Sequence, residues 1–159
     1  MSDFADYKGV MVYAEQREGE LQNVALELLG EGRKLADKLG VELTALLIGS
    51  GIKKLSDTLF EYGAEKVFVV DSKEYDKYTT EAYTAALVET IHQKKPEIVL
   101  LGATTIGRDL APRSSARLKT GLTADCTSLD IDLEKRLILQ TRPAFGGNVM
   151  ATIICPNHR

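Results

Sequence analysis

An α/β fold, with a parallel sheet covered by helices on both faces and a C-terminal antiparallel β extension, is predicted by three observations. Four short apolar runs, at residues 9–15, 41–49, 66–71 and 97–102, do not alternate polar with apolar, as expected of strands buried on both faces. Each run is followed by residues at helical spacing, so strand and helix alternate four times. Beyond Gly121 the helical period stops and a period of two takes its place.

The elements follow in order. GVMVYAE (residues 9–15) is the first strand. Leu21, Val24, Ala25, Leu28, Leu29, Leu35, Ala36 and Leu39 form one helical stripe. Gly32 falls on that stripe, which implies close packing on the sheet, and Gly40 is the stop that a left-handed helix end favours. VELTALLIG is the second strand; Ile52, Leu55, Leu59 and Phe60 mark a shorter helix closed by Gly63; KVFVVD is the third strand. Thr79 or Thr80 caps a helix carrying Tyr83, Leu87, Val88 and Ile91, which Pro96 ends. EIVLLG is the fourth strand, and a helix starting near Gly107 reaches about Lys119 before Gly121 closes it. The core therefore spans approximately residues 1–121 and is Rossmann-like. In the extension, residues 122–159, Leu129, Ile131 and Leu133 alternate with Ser128, Asp130 and Asp132. LEKR is a turn, and LILQTRP and NVMATIICP are two further strands joined through AFGG.

Bulk properties narrow the function. The chain has 159 residues, 44% hydrophobic and 27% charged, and suits a single globular domain over residues 1–159. A net charge of −3 gives no electrostatic footprint for nucleic acid. The start, MSDFADYKG, has no apolar signal region, and no uncharged stretch is long enough to span a bilayer, so a cytoplasmic protein without membrane attachment is expected. Cys126 and Cys155 form no disulfide framework. Cys155 has His158 nearby, but two ligands make no zinc site. G-x-S-x-G is absent and no nucleophile–base pair is visible, so no catalytic residue is assigned.

Three stretches invite a functional reading. GATTIGRDLAP (residues 102–112) lies at the carboxyl end of a strand, where open α/β sheets bind ligands. A helix start there would offer amides to an anion, with hydroxyls from Thr104 and Thr105 and a charge from Arg108. It matches neither G-x-G-x-x-G nor the P-loop pattern, Asp109 would repel a phosphate, and Pro112 fits best in a first helical turn. Plain helix capping and a ligand or partner role both remain open. GSGIKK (residues 49–54) reads more simply as a solvated helix start. In QTRPAFGGN (residues 140–148), Pro143 biases Arg142 towards extended backbone, and Phe145, Gly146, Gly147 and Asn148 form a turn with one large ring. Either the ring marks a contact or it folds back on the core.

GATTIGRDLAPRSSARLKTGLTADCTSLDID together with LILQTRPAFGGNVMATIICPNHR resembles the N-terminal domain of the electron-transfer flavoprotein alpha subunit, and the similarity runs from GVMVYAE to the last residue. The resemblance implies a scaffold and subunit interface in an FAD-dependent electron carrier, not an enzyme. It implies pairing with a beta subunit and service to an acyl-CoA or other dehydrogenase. The family's own flavin domain would follow Arg159, so this chain is expected to be a fragment that alone holds no flavin tightly. In members with a second flavin, the first domain walls part of that site. Arg142, Phe145 and Gly146 then become a flavin-facing loop, and Thr104, Arg108 and Asn148 a partner interface. A cation at Arg142 would favour anionic flavin, by the electrostatics that lowers an acid's pKa beside Arg. The rival reading is a stand-alone nucleotide-binding module of the universal-stress type, with a phosphate held at residues 102–107.

Overall fold

Each strand of the parallel sheet sends alternate side chains into two separate cores. The computed structural model describes residues 4–144 and 149–155. In chain order the elements are β1 (Val10–Tyr13), β2 (Gln16–Arg17), β3 (Glu20–Leu21), α1 (Asn23–Leu39), β4 (Leu43–Gly49), α2 (Ser56–Glu61), β5 (Lys66–Asp71), α3 (Thr80–Lys94), β6 (Ile98–Leu100), α4 (Thr105–Leu118), β7 (Ser128–Asp132), β8 (Leu137–Pro143) and β9 (Met150–Ile153). Strands β5-β4-β1-β6 make the parallel sheet, and β7-β8-β9 make an antiparallel one. Val10, Val12, Ala14, Leu43, Ala45 and Leu47 face α1 and α2. Met11, Tyr13, Leu46 and Ile48 face α3 and α4. Two-sided burial removes any reason for alternation, which is why these strands read as continuous apolar runs. The predicted Rossmann-like fold class and its antiparallel extension are both present.

Gly32 and Gly40 do what the pattern implies. A Cβ at Gly32 would meet Leu43 Cδ1 at 2.8 Å, so the bare backbone lets α1 lie flat on the sheet. Gly40 ends α1 in the left-handed region at φ 66°.

Five details differ from expectation. A small hairpin, β2–β3, interrupts the connection from β1 to α1, so Leu21 belongs to a strand and not to the helical stripe. Its turn uses Glu18 and Gly19 at φ 51° and 84°, both in the left-handed range of a tight hairpin turn. At the start of α3, Thr79 occupies the cap position without a side-chain bond, and Thr80 donates its hydroxyl to Asp109 and not to the cap. Helix α4 begins at Thr105 instead of near Gly107, which leaves Pro112 in the helix interior. Lys119 ends α4 at φ 54°; Gly121 serves instead for close approach, since a Cβ there would overlap Cys155. Finally β7 stops at Asp132, whose Oδ1 accepts from the amides of Glu134 and Lys135, so Leu133 lies in the turn and is 64% exposed.

The extension is fastened to the core at several points. Leu129, Ile131 and Ile138 join the core beneath α1, with a Lys38–Asp130 ion pair at the rim. Arg136 grips Glu97 with two hydrogen bonds, of 3.0 and 2.9 Å, just before β6.

Candidate functional site

Strand order reverses between β1 and β6, so the crevice beyond their carboxyl ends is where an open α/β sheet would take a ligand. The GATTIG stretch forms one wall. Its two glycines are there for space. A Cβ on Gly102 would sit 2.6 Å from Val24 Cγ2 at the start of α1, and one on Gly107 would sit 1.7 Å from the Gly102 carbonyl oxygen. Both helix starts therefore converge on the end of β6. Thr104 caps α4: its hydroxyl oxygen accepts from the Gly107 amide at 3.0 Å and its hydroxyl donates to Glu15 Oε1 at 3.0 Å.

Glu15 ends the first apolar run, and its carboxylate occupies this crevice. The residue is 1% exposed. Arg17, carried back by the hairpin, donates to the same oxygen at 3.2 Å. Oε2 has no hydrogen-bond partner among the described residues. Beside it Gln16 donates to the Ile48 carbonyl at 2.9 Å and accepts from the Gly19 amide at 2.9 Å, closing the end of β4. The GSGIKK loop is likewise filled from within: Asp71 accepts from the amides of Gly51 and Ile52 at 2.8 and 3.2 Å. Its lysines, Lys53 and Lys54, are exposed as expected of a solvated helix start.

The Arg-Asp pair after GATTIG performs fastening. Arg108 is exposed and pairs with Asp125 at 2.9 Å. Asp109 accepts from Tyr78 at 2.6 Å and Thr80 at 2.5 Å, tying α4 to the start of α3. The Thr80 and Tyr78 bonds hold the Asp109 carboxyl below its ordinary pKa. Burial and the Asp109 bond push the Tyr78 phenol well up, so it remains a donor. Glu81 pairs with Arg113 and Arg117 one turn further along.

Arg142 lies elsewhere, on β8 opposite Ala151 of β9. It is half-buried, and its side chain makes no hydrogen bond or ion pair among the described residues. Its charge reaches Cys126, where it opposes the burial that pushes that thiol up. Next to it, Ala144 donates to the Val149 carbonyl at 2.7 Å, and Val149 and Met150 are 60% and 54% exposed. Phe145, Gly146, Gly147 and Asn148 lie outside the described residues. The structure thus puts Thr104 at the cap of α4, Arg108 in its first turn, and Arg142 on the separate extension sheet. Sequence reasoning missed Glu15, Arg17, Asp71 and the apolar pair Val149 and Met150. Only the last carried a signal, as two apolar residues directly after GGN in the sequence. Among the described residues no group of His, Cys, Asp or Glu is placed to hold a metal ion, and no helix is long and apolar enough to cross a membrane.

Comparison with known proteins agrees with this picture. The family model described as the electron transfer flavoprotein domain matches residues 10–159. Protein FixB of Clostridium saccharobutylicum is 62% identical over 157 residues, which cover 99% of this chain and 47% of that protein. The electron transfer flavoprotein subunit alpha of Clostridium acetobutylicum is 58% identical over 155 residues, covering 98% of this chain and 46% of that one. The acryloyl-CoA reductase electron transfer subunit beta of Anaerotignum propionicum is 46% identical over 180 residues, covering 99% and 49%. The chain spans about half the length of these curated relatives.

Proposed function

The chain belongs to the electron transfer flavoprotein family, and from that premise we propose that it is the amino-terminal domain of an alpha subunit, spanning residues 1–159. In this reading it is a scaffold and docking face in an FAD-dependent electron carrier. It pairs with a beta subunit, and the complete complex serves an acyl-CoA or other dehydrogenase in the cytoplasm. The observation that supports it most directly is Arg142: a half-buried cation without an ion-pair partner among the described residues, beside exposed Val149 and Met150. A cation next to an apolar lip suits the edge of a flavin ring or the surface of a partner subunit.

The two candidate positions fit a flavin differently. The crevice beyond β1 and β6 does not fit a dinucleotide's pyrophosphate, because Glu15 fills it with a carboxylate and Val24 closes on Gly102. The Arg142 edge of the extension does fit one wall of a flavin site. Bound FAD supplies one- and two-electron transfer. The chain's own part is that Arg142 favours the anionic form of the ring, while Val149 and Met150 exclude water from one side. Thr104, the cap of α4, and Arg108 in its first turn belong to the subunit interface in this reading, together with Asn148.

The test uses the full-length alpha subunit in its heterodimer. Arg142→Ala is expected to lower the one-electron midpoint potential of the flavin it faces by about 40 mV, the equivalent of roughly 1 kcal/mol of charge interaction. Potentials unchanged in a correctly assembled heterodimer would count against the flavin wall. Failure of the subunit to assemble with a beta subunit would count against the larger reading. The universal-stress alternative requires ATP or AMP to bind this chain alone, and Glu15 stands where its phosphate would go.

A further inference from the structure

We propose that Glu15 is an internal anion: its carboxylate takes the phosphate position in the crevice between β1 and β6, and is what excludes phosphate-bearing ligands from it. The groups around the carboxylate are those of a phosphate site. The start of a 14-residue helix reaches the carboxylate through the cap hydroxyl of Thr104, which accepts from the Gly107 amide, and a guanidinium on Arg17 lies beside it. They lie at the reversal of strand order, where such ligands bind. The occupant is supplied by the chain itself. Thr104 and Arg17 both donate to Oε1.

Two further features favour an occupant over a mere cap. Thr104 caps α4 by itself, with its own oxygen on the Gly107 amide, so the cap does not require Glu15. And Oε2 is buried with no partner among the described residues, an arrangement that costs free energy and that capping alone does not require. A second anion brought to the same donors would stand against this buried charge, with Arg17 already engaged. Glu15 thus blocks the position by volume and by charge together.

The proposal does not depend on which surface faces the flavin, and its test reads phosphate binding and not redox behaviour. Wild-type full-length alpha subunit in its heterodimer, with Glu15→Ala and Glu15→Gln, is titrated with inorganic phosphate against chloride of equal ionic strength. Calorimetry and thermal melting are the readouts. Wild type and E15Q, which keeps the volume, are expected to show no saturable binding. E15A is expected to bind phosphate saturably and to gain about 2–4 °C in Tm at tenfold its Kd. Adding Arg17→Ala should abolish that gain. Should E15A not accumulate folded, Glu15→Ser replaces it; should neither fold unaided, recovery on refolding in phosphate over chloride is read instead. Saturable phosphate binding by wild type that R17A abolishes overturns the proposal. So does a folded E15A or E15S indistinguishable from wild type, or no recovery by phosphate.

Discussion

At the residue scale, two positions of the GATTIGRD stretch give predictions of opposite kinds. Gly107→Ala would place a Cβ 1.7 Å from a backbone oxygen, which no rotamer change relieves. The start of α4 must then lift off β6, at a cost of about 3 kcal/mol or more, read by denaturant unfolding. Asp109 acts through charge. Its folded pKa is depressed by the Thr80 and Tyr78 hydrogen bonds. The stability it contributes is therefore complete well above the unfolded value of about 3.9 and is lost as pH falls through the lower folded value. Asp109→Asn should flatten the acid limb of the stability profile, with wild type and variant converging at the lowest pH. A constant gap between them at every pH would show that Asp109 contributes by packing alone.

At the element scale, Pro112 breaks a rule. It sits in the interior of α4, exposed, where it leaves the Arg108 carbonyl without its helical donor. Pro112→Ala restores that donor and loses no buried surface. It should raise stability by about 1–3 kcal/mol, less whatever proline gains from its stiff unfolded chain, measured as a higher Tm. No gain would mean that α4 bends at this point whatever residue is present. The same helix shows what the sequence made legible. Its strand partners were readable because burial on both faces leaves unbroken apolar runs, and Gly32 was readable because it lies on the stripe. Its own start was misplaced by two residues, since Pro112 fits best in a first helical turn and so drew the predicted start downstream. The hairpin at Gln16–Arg17 and Glu20–Leu21 was invisible because two-residue strands have no period. Leu133 kept the alternation yet fell into the turn, because the Asp132 side chain captured the next two amides. Glu15 was unreadable as a site residue for a different reason: its cap partner Thr104 is 89 positions away, and no local pattern announces such a pair.

At the scale of the whole molecule, the question is how an antiparallel sheet carrying Arg142 keeps its place against the parallel one. The Lys38–Asp130 pair is exposed on both sides and contributes little. The Arg136–Glu97 pair differs, because the Glu97 side chain is 5% exposed and both of its oxygens are engaged by one guanidinium. Arg136→Met would strand that carboxylate without a partner, a loss of about 3 kcal/mol. The double variant Arg136→Met with Glu97→Leu removes the orphan charge and should recover most of it. Where the loss appears is the more informative result. The strands β1 and β4 are held by two cores of their own, whereas β8 and β9 lean on the clamp and on Leu129, Ile131 and Ile138. Hydrogen exchange in the full-length subunit should therefore rise first in β7–β9, with β1 and β4 still protected. Because Arg142 rides on β8, the same variant should also disturb the flavin-facing position proposed for it. Uniform loss of protection across both sheets would show instead that extension and core unfold as one cooperative unit, with the clamp inside it.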